Sequence, residues 1–342
     1  MLRICTTTGQ ADLATPLDFE GGRYRNRVLL APMSGITDVP FRRLAWEFGA
    51  GMVVSEMVAS EALVTGQEEM RLKAEAAGLP VHVVQLAGRE PRWMAKAVRV
   101  AEGAGAHVID INMGCPARKV TTGLSGSALM RDLDHALRLI DATVAATDLP
   151  VTLKMRLGWD HDSINAPELA ARAEAAGIRL LTVHGRTRCQ FYKGRADWSL
   201  VRRVRQATRL PLVVNGDIAV HADACAALGA SGADAVMVGR AAYGAPFLPG
   251  VIAGKAAPPA DITGLVLRHH ADILSFHGTE IGLRVARKHL GWYLDRVVTA
   301  DASRLRGELM RASDPAAAER AILVAFDGAV WRDAVTPAAL AA

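Results

Sequence analysis

Short β-branched apolar runs recur along this chain with helix-like segments between them, and that alternation restricts its fold more than any other feature. The runs are VLLA at Val28, MVVS at Met52, VHVVQL at Val81, VIDINM at Val108, VTLKM at Val151, LLTVHG at Leu180, LVVNG at Leu212 and AVMVGR at Ala235. Segments rich in Ala, Leu and Arg separate them: Val39 to Phe48, Pro91 to Gly103, Asp134 to Ala146, Pro167 to Ala176, Trp198 to Ala207 and Ala222 to Leu228. Strand and helix repeated about eight times favour a closed parallel (β/α)8 barrel, the TIM barrel of the α/β class. A doubly wound open sheet stays open as the alternative, although no GxGxxG follows the first run as a dinucleotide fold would require.

After Ala253 the rhythm stops. KAAPPAD, from Lys255 to Asp261, reads as a linker, and the remainder shows helical apolar spacing over Ile262 to Phe276, Leu283 to Val297, Ser303 to Ala312 and Ala316 to Phe326, with no convincing strand. The expected organisation is a barrel domain over 1–254 and a small helical bundle over 255–342. A length of 342 residues with 51% hydrophobic content suits one large domain with an appendage. No run approaches the roughly 18 apolar residues of a membrane span, and Met1 to Gly22 lacks the compact apolar stretch of a secretory signal, so a cytoplasmic protein without a membrane partner is expected. Cys5, Cys115, Cys189 and Cys225 lie far apart with no CxxC or Cys/His spacing. Neither a metal site nor a disulfide framework is expected, and each is read as a single thiol, Cys225 as a small buried apolar group.

Net charge is +5, which permits a polyanionic partner without requiring one. The densest positive stretch runs to Arg209 and holds Arg186, Arg188, Lys193, Arg195, Arg202, Arg203, Arg205 and Arg209 against the single acid Asp197, with Phe191, Tyr192 and Trp198 interleaved. Such a stretch is a solvated helix face or a nucleic-acid surface.

In a barrel, chemistry gathers where strands end at the C-terminal rim. Pro32 and Met33 follow the first strand, Gln85 ends the third, Asn112 and Cys115 close the fourth, Lys154 and Arg156 the fifth, and His184 the sixth. Asn215, Gly216 and Asp217 follow the seventh, and Gly239 and Arg240 the eighth. The last two groups suit a phosphate: glycine lets backbone N–H groups approach its oxygens, and a guanidinium pairs with them bidentately.

Several of these segments carry a family resemblance. APMSGITDVPFRRL from Ala31, DINMGCPARKV from Asp110, GSALMRD from Gly126, VTLKMRLGWD from Val151, VHGRTR from Val183, GRADW from Gly194, NGDI from Asn215, VGRAAYGAPFL from Val238 and GLRVARKHLGWYL from Gly282 resemble the bacterial tRNA-dihydrouridine synthases, in particular the B-type subgroup with its nitrogen-regulation relatives. The resemblance implies FMN across the barrel mouth and NADPH as electron donor. Pro32, Met33 and Ser34 would line the flavin, and Gln85 and Lys154 would hold its polar edge. His184 would sit near the ribityl chain, and Asn215, Gly216, Asp217, Gly239 and Arg240 would take the phosphate end.

By the same resemblance, uridine in tRNA would be reduced at its C5–C6 bond, with hydride from the flavin to C6 and a proton from Cys115 to C5. A thiol of ordinary pKa near 8.5 is largely protonated at neutral pH and suits that role. Asn112 and Arg156 would meet the uracil. Arg186, Arg188, Arg284, Arg287 and Lys288 are the candidates for the tRNA backbone, with the helical tail binding tRNA. Other readings stay open: Lys154 as a structural ion pair or a Schiff-base lysine, His184 as a core histidine, and the chain as a dehydrogenase of free pyrimidines or a regulatory tRNA-binding protein. Oligomeric state is open, with a monomer favoured.

Overall fold

The computed structural model describes residues 12–332. An antiparallel hairpin, β1 (Leu17–Phe19) and β2 (Gly22–Tyr24), precedes the barrel. Then come β3 (Val28–Leu30), β4 (Met52–Ala59), β5 (Val83–Ala87), β6 (Val108–Met113), β7 (Val151–Arg156), β8 (Leu180–His184), β9 (Leu212–Asn215) and β10 (Ala235–Val238). These eight strands are parallel and close on themselves, β10 pairing back to β3. The open-sheet alternative is thereby excluded.

The barrel follows from period-2 patterning. Val28, Leu30, Val53, Val84, Ile109, Ile111, Leu153, Met155, Leu181, Val183 and Val214 point outward into one core shared with the surrounding helices. Their neighbours Leu29, Met52, Val54, Val83, Val108, Leu180, Val213 and Met237 point inward and meet Leu17, Phe19 and Tyr24 of the hairpin. The hairpin therefore plugs the N-terminal end of the barrel, with the Phe19 and Tyr24 rings 4.8 Å apart. Toward the C-terminal ends the inward positions turn polar: Gln85, Asp110, Asn112, Thr152, Lys154, Arg156, Thr182, His184 and Asn215.

The barrel helices Val39–Glu47, Pro91–Gly103, Leu133–Val144, Ala166–Ala175, Trp198–Ala207 and His221–Ser231 lie where the sequence places them. His221–Ser231 outruns its expected end because Gly229 continues the helix and Gly232, at φ +69°, stops it. Tail helices occupy Ile262–His277, Thr279–Arg296, Ala302–Arg311 and Pro315–Phe326. Contrary to expectation the tail also holds a small ladder, β11 (Val297–Val298) with β12 (Val330–Trp331). Strands this short leave no alternation for a sequence to display.

Tail and barrel are closely joined. Phe41 packs with its ring centroid 5.8 Å from His269 and 5.7 Å from His289. Asp38, which caps Val39–Glu47 through Phe41 N, also meets His277 Nε2 at 2.8 Å. Arg296 donates to the carbonyls of Ala241 and Tyr243 at 2.7 and 2.9 Å. Among the described residues no helix is long and apolar enough to cross a membrane.

The cysteine expectation needs correction. Cys115 and Cys189 are free thiols, whereas Cys225 is disulfide-bonded and only partly buried. Sequence separation does not report spatial distance, so isolated cysteines in a chain can still pair in the fold. Cys5 lies outside the described residues.

Candidate active site at the barrel mouth

Strand register brings the rim residues together. Asn112 pairs with Lys154 across β6 and β7, Arg156 with His184 across β7 and β8, and His184 with Asn215 across β8 and β9. Lys154 Nζ donates to Asn215 Oδ1 at 3.1 Å, and Asn215 Nδ2 donates to the Met237 carbonyl at 2.8 Å. Asn215 therefore orients the lysine. Burial, followed by the nearby Arg156 charge, pushes the Lys154 ammonium down to about 8. A cation so placed favours an anionic group in front of it.

Cys115 sits in a loop clamped from several sides. Asn112 Oδ1 accepts from Gly114 N at 3.1 Å and Cys115 N at 2.9 Å. Arg156 Nε donates to the Gly114 carbonyl at 2.8 Å, and Ser127 holds the Cys115 carbonyl through its N–H at 3.1 Å and its hydroxyl at 2.8 Å. Gly126, at φ +59°, closes the same loop, and a Cβ there would lie 2.9 Å from the Cys115 carbonyl oxygen. Burial pushes the Cys115 thiol up, against a smaller pull down from the Ala117 N–H and the charges of Arg156 and Lys154. The group is thus a protonated thiol with cations near its sulfur.

Gln85 is fully buried, its Nε2 donating to Asp110 Oδ2 at 2.6 Å and its Oε1 accepting from Asn112 Nδ2 at 2.7 Å. The acceptor oxygen of Asn112 already serves two backbone donors, so only amide hydrogen is left to meet a ligand. Arg156 is 1% exposed, and its Nη1 holds the carbonyls of Thr187 at 2.7 Å and Phe191 at 2.8 Å. This arginine draws the loop after β8 over the mouth, where Tyr192 is 43% exposed and lies under Arg240 at 4.7 Å.

At the β9 and β10 ends, Gly216 has φ +115°, and a Cβ would press within 2.8 Å of His184 and Ala196. Beyond it, Asp217 accepts two hydrogen bonds from Arg186 Nη2, at 2.8 and 2.6 Å, and one from Ala196 N at 2.7 Å. The Asp217 carboxylate is therefore held by Arg186 and the Ala196 N–H. Gly239 keeps open space, its nearest neighbour to an added Cβ being Ala31 at 4.0 Å. Arg240 lies beside it, loosely paired with Asp217 at 3.8 Å. His184 Nε2 receives Arg186 Nη1 at 3.3 Å, and since arginine only donates, the imidazole proton is on Nδ1. Burial, then the Arg156 and Lys154 charges, keeps His184 neutral. Pro32 and Met33 are partly buried at the rim and Ser34 is exposed.

The expected RNA-contacting residues separate into groups. Arg186 is 2% exposed and braces the rim from inside, so its charge is spent on Asp217 and the carbonyls of Lys193 and Gly194. Lys288 Nζ binds the Gly35 carbonyl, fastening the tail to the loop after β3, and Arg287 donates to the Ala312 carbonyl at 3.2 Å. Arg188 stacks on Trp159 at 4.7 Å, with Arg131 at 4.9 Å from the same ring. Arg284 is exposed, as are Lys193, Arg195, Arg203 and Arg209. Asp110, Glu56, Ser127 and Trp159 join the site beyond the residues expected from sequence. Asp110 was detectable by its two-residue spacing from Asn112, whereas Glu56, which accepts from Gly35 N, gives no such signal.

Among the described residues no group of three or more His, Cys, Asp or Glu side chains gathers as a metal site. In fold the molecule is similar to a mutant of morphinone reductase in complex with tetrahydroNAD, at 17% identity and TM-score 0.53 over 75% of this chain and 94% of that one. It is likewise similar to a 2-naphthoyl-CoA reductase, at 15% identity and TM-score 0.56 over 72% of this chain and 52% of that one. In sequence it is 58% identical to a probable tRNA-dihydrouridine synthase of Rhizobium leguminosarum bv. phaseoli, over 85% of this chain and 92% of that protein. It is 43% identical to the tRNA-dihydrouridine synthase B of Klebsiella pneumoniae, over 83% of this chain and 92% of the relative. Residues 29–330 match the dihydrouridine synthase family, and the chain belongs to it.

Proposed function

We propose that this protein reduces the C5–C6 bond of uridine in tRNA to dihydrouridine, with FMN as cofactor and NADPH as electron donor. The observation that carries the reading is the protonated Cys115 thiol held in a clamped loop beside the Lys154 cation at the barrel mouth. The donor set fits a flavin: a buried ammonium suits the charge that develops on its polar edge, and open Gly239 beside Arg240 suits its phosphate. When bound, FMN supplies the hydride that adds to uracil C6.

The chain's own residues do the rest. Cys115 gives its proton to C5, and the thiolate left behind is stabilised by Arg156 and Lys154, the two cations that already draw its pKa down against burial. Asn112 offers an amide hydrogen, which suits a uracil carbonyl. Arg156 fixes both the Cys115 loop and the loop carrying Tyr192, so the two walls of the mouth move as one. The target base must leave its stack to enter, which costs least in loops of folded RNA. Exposed cations of the rim, with Arg188 and Arg284, and the tail helices take the tRNA backbone.

The test is mass spectrometry of nucleosides from tRNA lacking the modification, incubated with the protein, FMN and NADPH beside a parallel reaction on free uracil. Two hydrogens gained on uridine in tRNA alone is the expected result. Reduction of free uracil would instead assign a small-pyrimidine dehydrogenase, and inactivity on both would remove the reading.

A further inference from the structure

Below the rim a chain of hydrogen bonds crosses the barrel wall in one direction. Asp110 on β6 stands in register with Gln85 on β5 and with Thr152 on β7. Its Oδ2 accepts from Gln85 Nε2 and its Oδ1 from Thr152 Oγ1, each at 2.6 Å. Gln85 Oε1 accepts from Asn112 Nδ2 at 2.7 Å, and Asn112 Oδ1 accepts from the backbone of Gly114 and Cys115.

Neither end of this chain can be reversed. Backbone N–H groups only donate, so Asn112 must turn its oxygen toward the Cys115 loop. A carboxylate only accepts, so Gln85 must turn its nitrogen toward Asp110. Turning either amide around would set two N–H groups or two oxygens face to face, and both amides are thereby assigned without ambiguity. Asp110 is 5% exposed and takes no part in the chemistry described above; burial pushes its carboxyl up, against the smaller pull down of the Gln85 and Thr152 hydrogen bonds and the Lys154 charge, and both of its oxygens serve as acceptors. A buried carboxylate with no substrate to meet needs a structural or orienting reason to be there.

We propose that Asp110 is a positioning residue for Cys115: its Oδ2, accepting from Gln85 Nε2, holds the Gln85 and Asn112 amides in the direction the Cys115 loop requires, and through them the loop that aims the thiol. The catalytic consequence rests on Cys115 being the proton donor; the positioning itself does not.

The test compares Asp110→Leu, Asp110→Asn and Thr152→Val in the FMN-loaded protein. Two quantities are measured: the alkylation rate of Cys115 by iodoacetamide, resolved by peptide so that Cys189 does not interfere, and kcat and KM on unmodified tRNA. Asp110→Leu removes the acceptor; Cys115 alkylation should accelerate about fivefold or more and kcat should fall about tenfold or more, with KM for tRNA within about twofold. Asp110→Asn keeps an oxygen for Gln85 and offers Thr152 an amide hydrogen, so both quantities should stay within about threefold of the parent. Thr152→Val takes away a partner of Asp110 outside the chain and should leave both unchanged.

Parental alkylation and kcat in Asp110→Leu would overturn the proposal, as would Asp110→Asn behaving like Asp110→Leu, because charge and not acceptor direction would then matter. If Asp110→Leu does not fold, Gln85→Met cuts the chain one link nearer the loop and should accelerate Cys115 alkylation equally; an unchanged rate sinks the idea. An alkylation series that follows the chain in a protein unable to reduce tRNA would keep the positioning role and remove the proposed function instead.

Discussion

Burial holds the Lys154 ammonium down to about 8 while the Asn215 amide oxygen faces it, and the same burial pushes the Cys115 thiol upward. Both groups act in their protonated forms, so both belong to the alkaline limb of a pH profile, with the lysine titrating first. As pH rises through about 8 the lysine loses its proton, so kcat should decline by about tenfold per unit beyond that point. Lys154→Arg should move this falling limb to higher pH; an unmoved limb would assign it elsewhere. Cys115→Ala should keep the yellow colour of bound FMN and lose about 10² to 10⁴ of its turnover, the usual share of a general acid. Arg186 marks where residue-level reading stops. Its charge was plain in the sequence, but Asp217, which neutralises it at 2.6 Å, lies on the next strand end, so a surface role was inferred for a side chain that is inside.

The run from β6 through Gly126 is the element on which the thiol depends. Gly126→Ala has to pay for φ +59° and for a Cβ 2.9 Å from the Cys115 carbonyl. The substitution should cost about 1 to 2 kcal/mol of stability and lower kcat together, read by thermal melting and by turnover. Stability lost with parental kcat would show that the loop absorbs the change without moving Cys115. Elements of this length show which parts of the fold a sequence displays. Val108–Met113 carries both an apolar outward face and an Asp110–Asn112 inward face, so strand and rim position were both legible. The plug was not, because Leu17–Phe19 and Gly22–Tyr24 are too short to show a period, and their partners are spread over the whole barrel. Helix Thr279–Arg296 begins before its apolar spacing does, since Gly278 and not the hydrophobic pattern sets its start.

At the scale of the whole molecule, tail and barrel should respond to acid as one unit. His269 and His289 are 0% and 1% exposed where the tail meets Phe41, with Asp38, Arg268, His270, His277 and Lys288 around them. Burial holds His269 down to about 4 and His289 well below its ordinary value. The unfolded chain takes these protons near pH 6.5, so the folded state has its full stability above that pH. Below it, stability should fall by up to about 1.4 kcal/mol per pH unit for each histidine, until the folded values are reached. Urea midpoints at pH 7.5, 6 and 5 check this; equal midpoints would mean that these rings are not buried neutral in solution.

The hairpin that fills the lower end of the barrel also determines traffic. With Phe19 and Tyr24 stopping one end, every visitor must come and go by the end where Cys115 and Lys154 lie. Under the proposed function a nicotinamide and a flipped base would use that same mouth in turn, with reduction and product formation as separate steps. Initial rates should then give parallel lines in double-reciprocal plots, with either reactant inhibiting the other in excess. Intersecting lines would mean that both reactants reside on the enzyme together and that a second entrance exists.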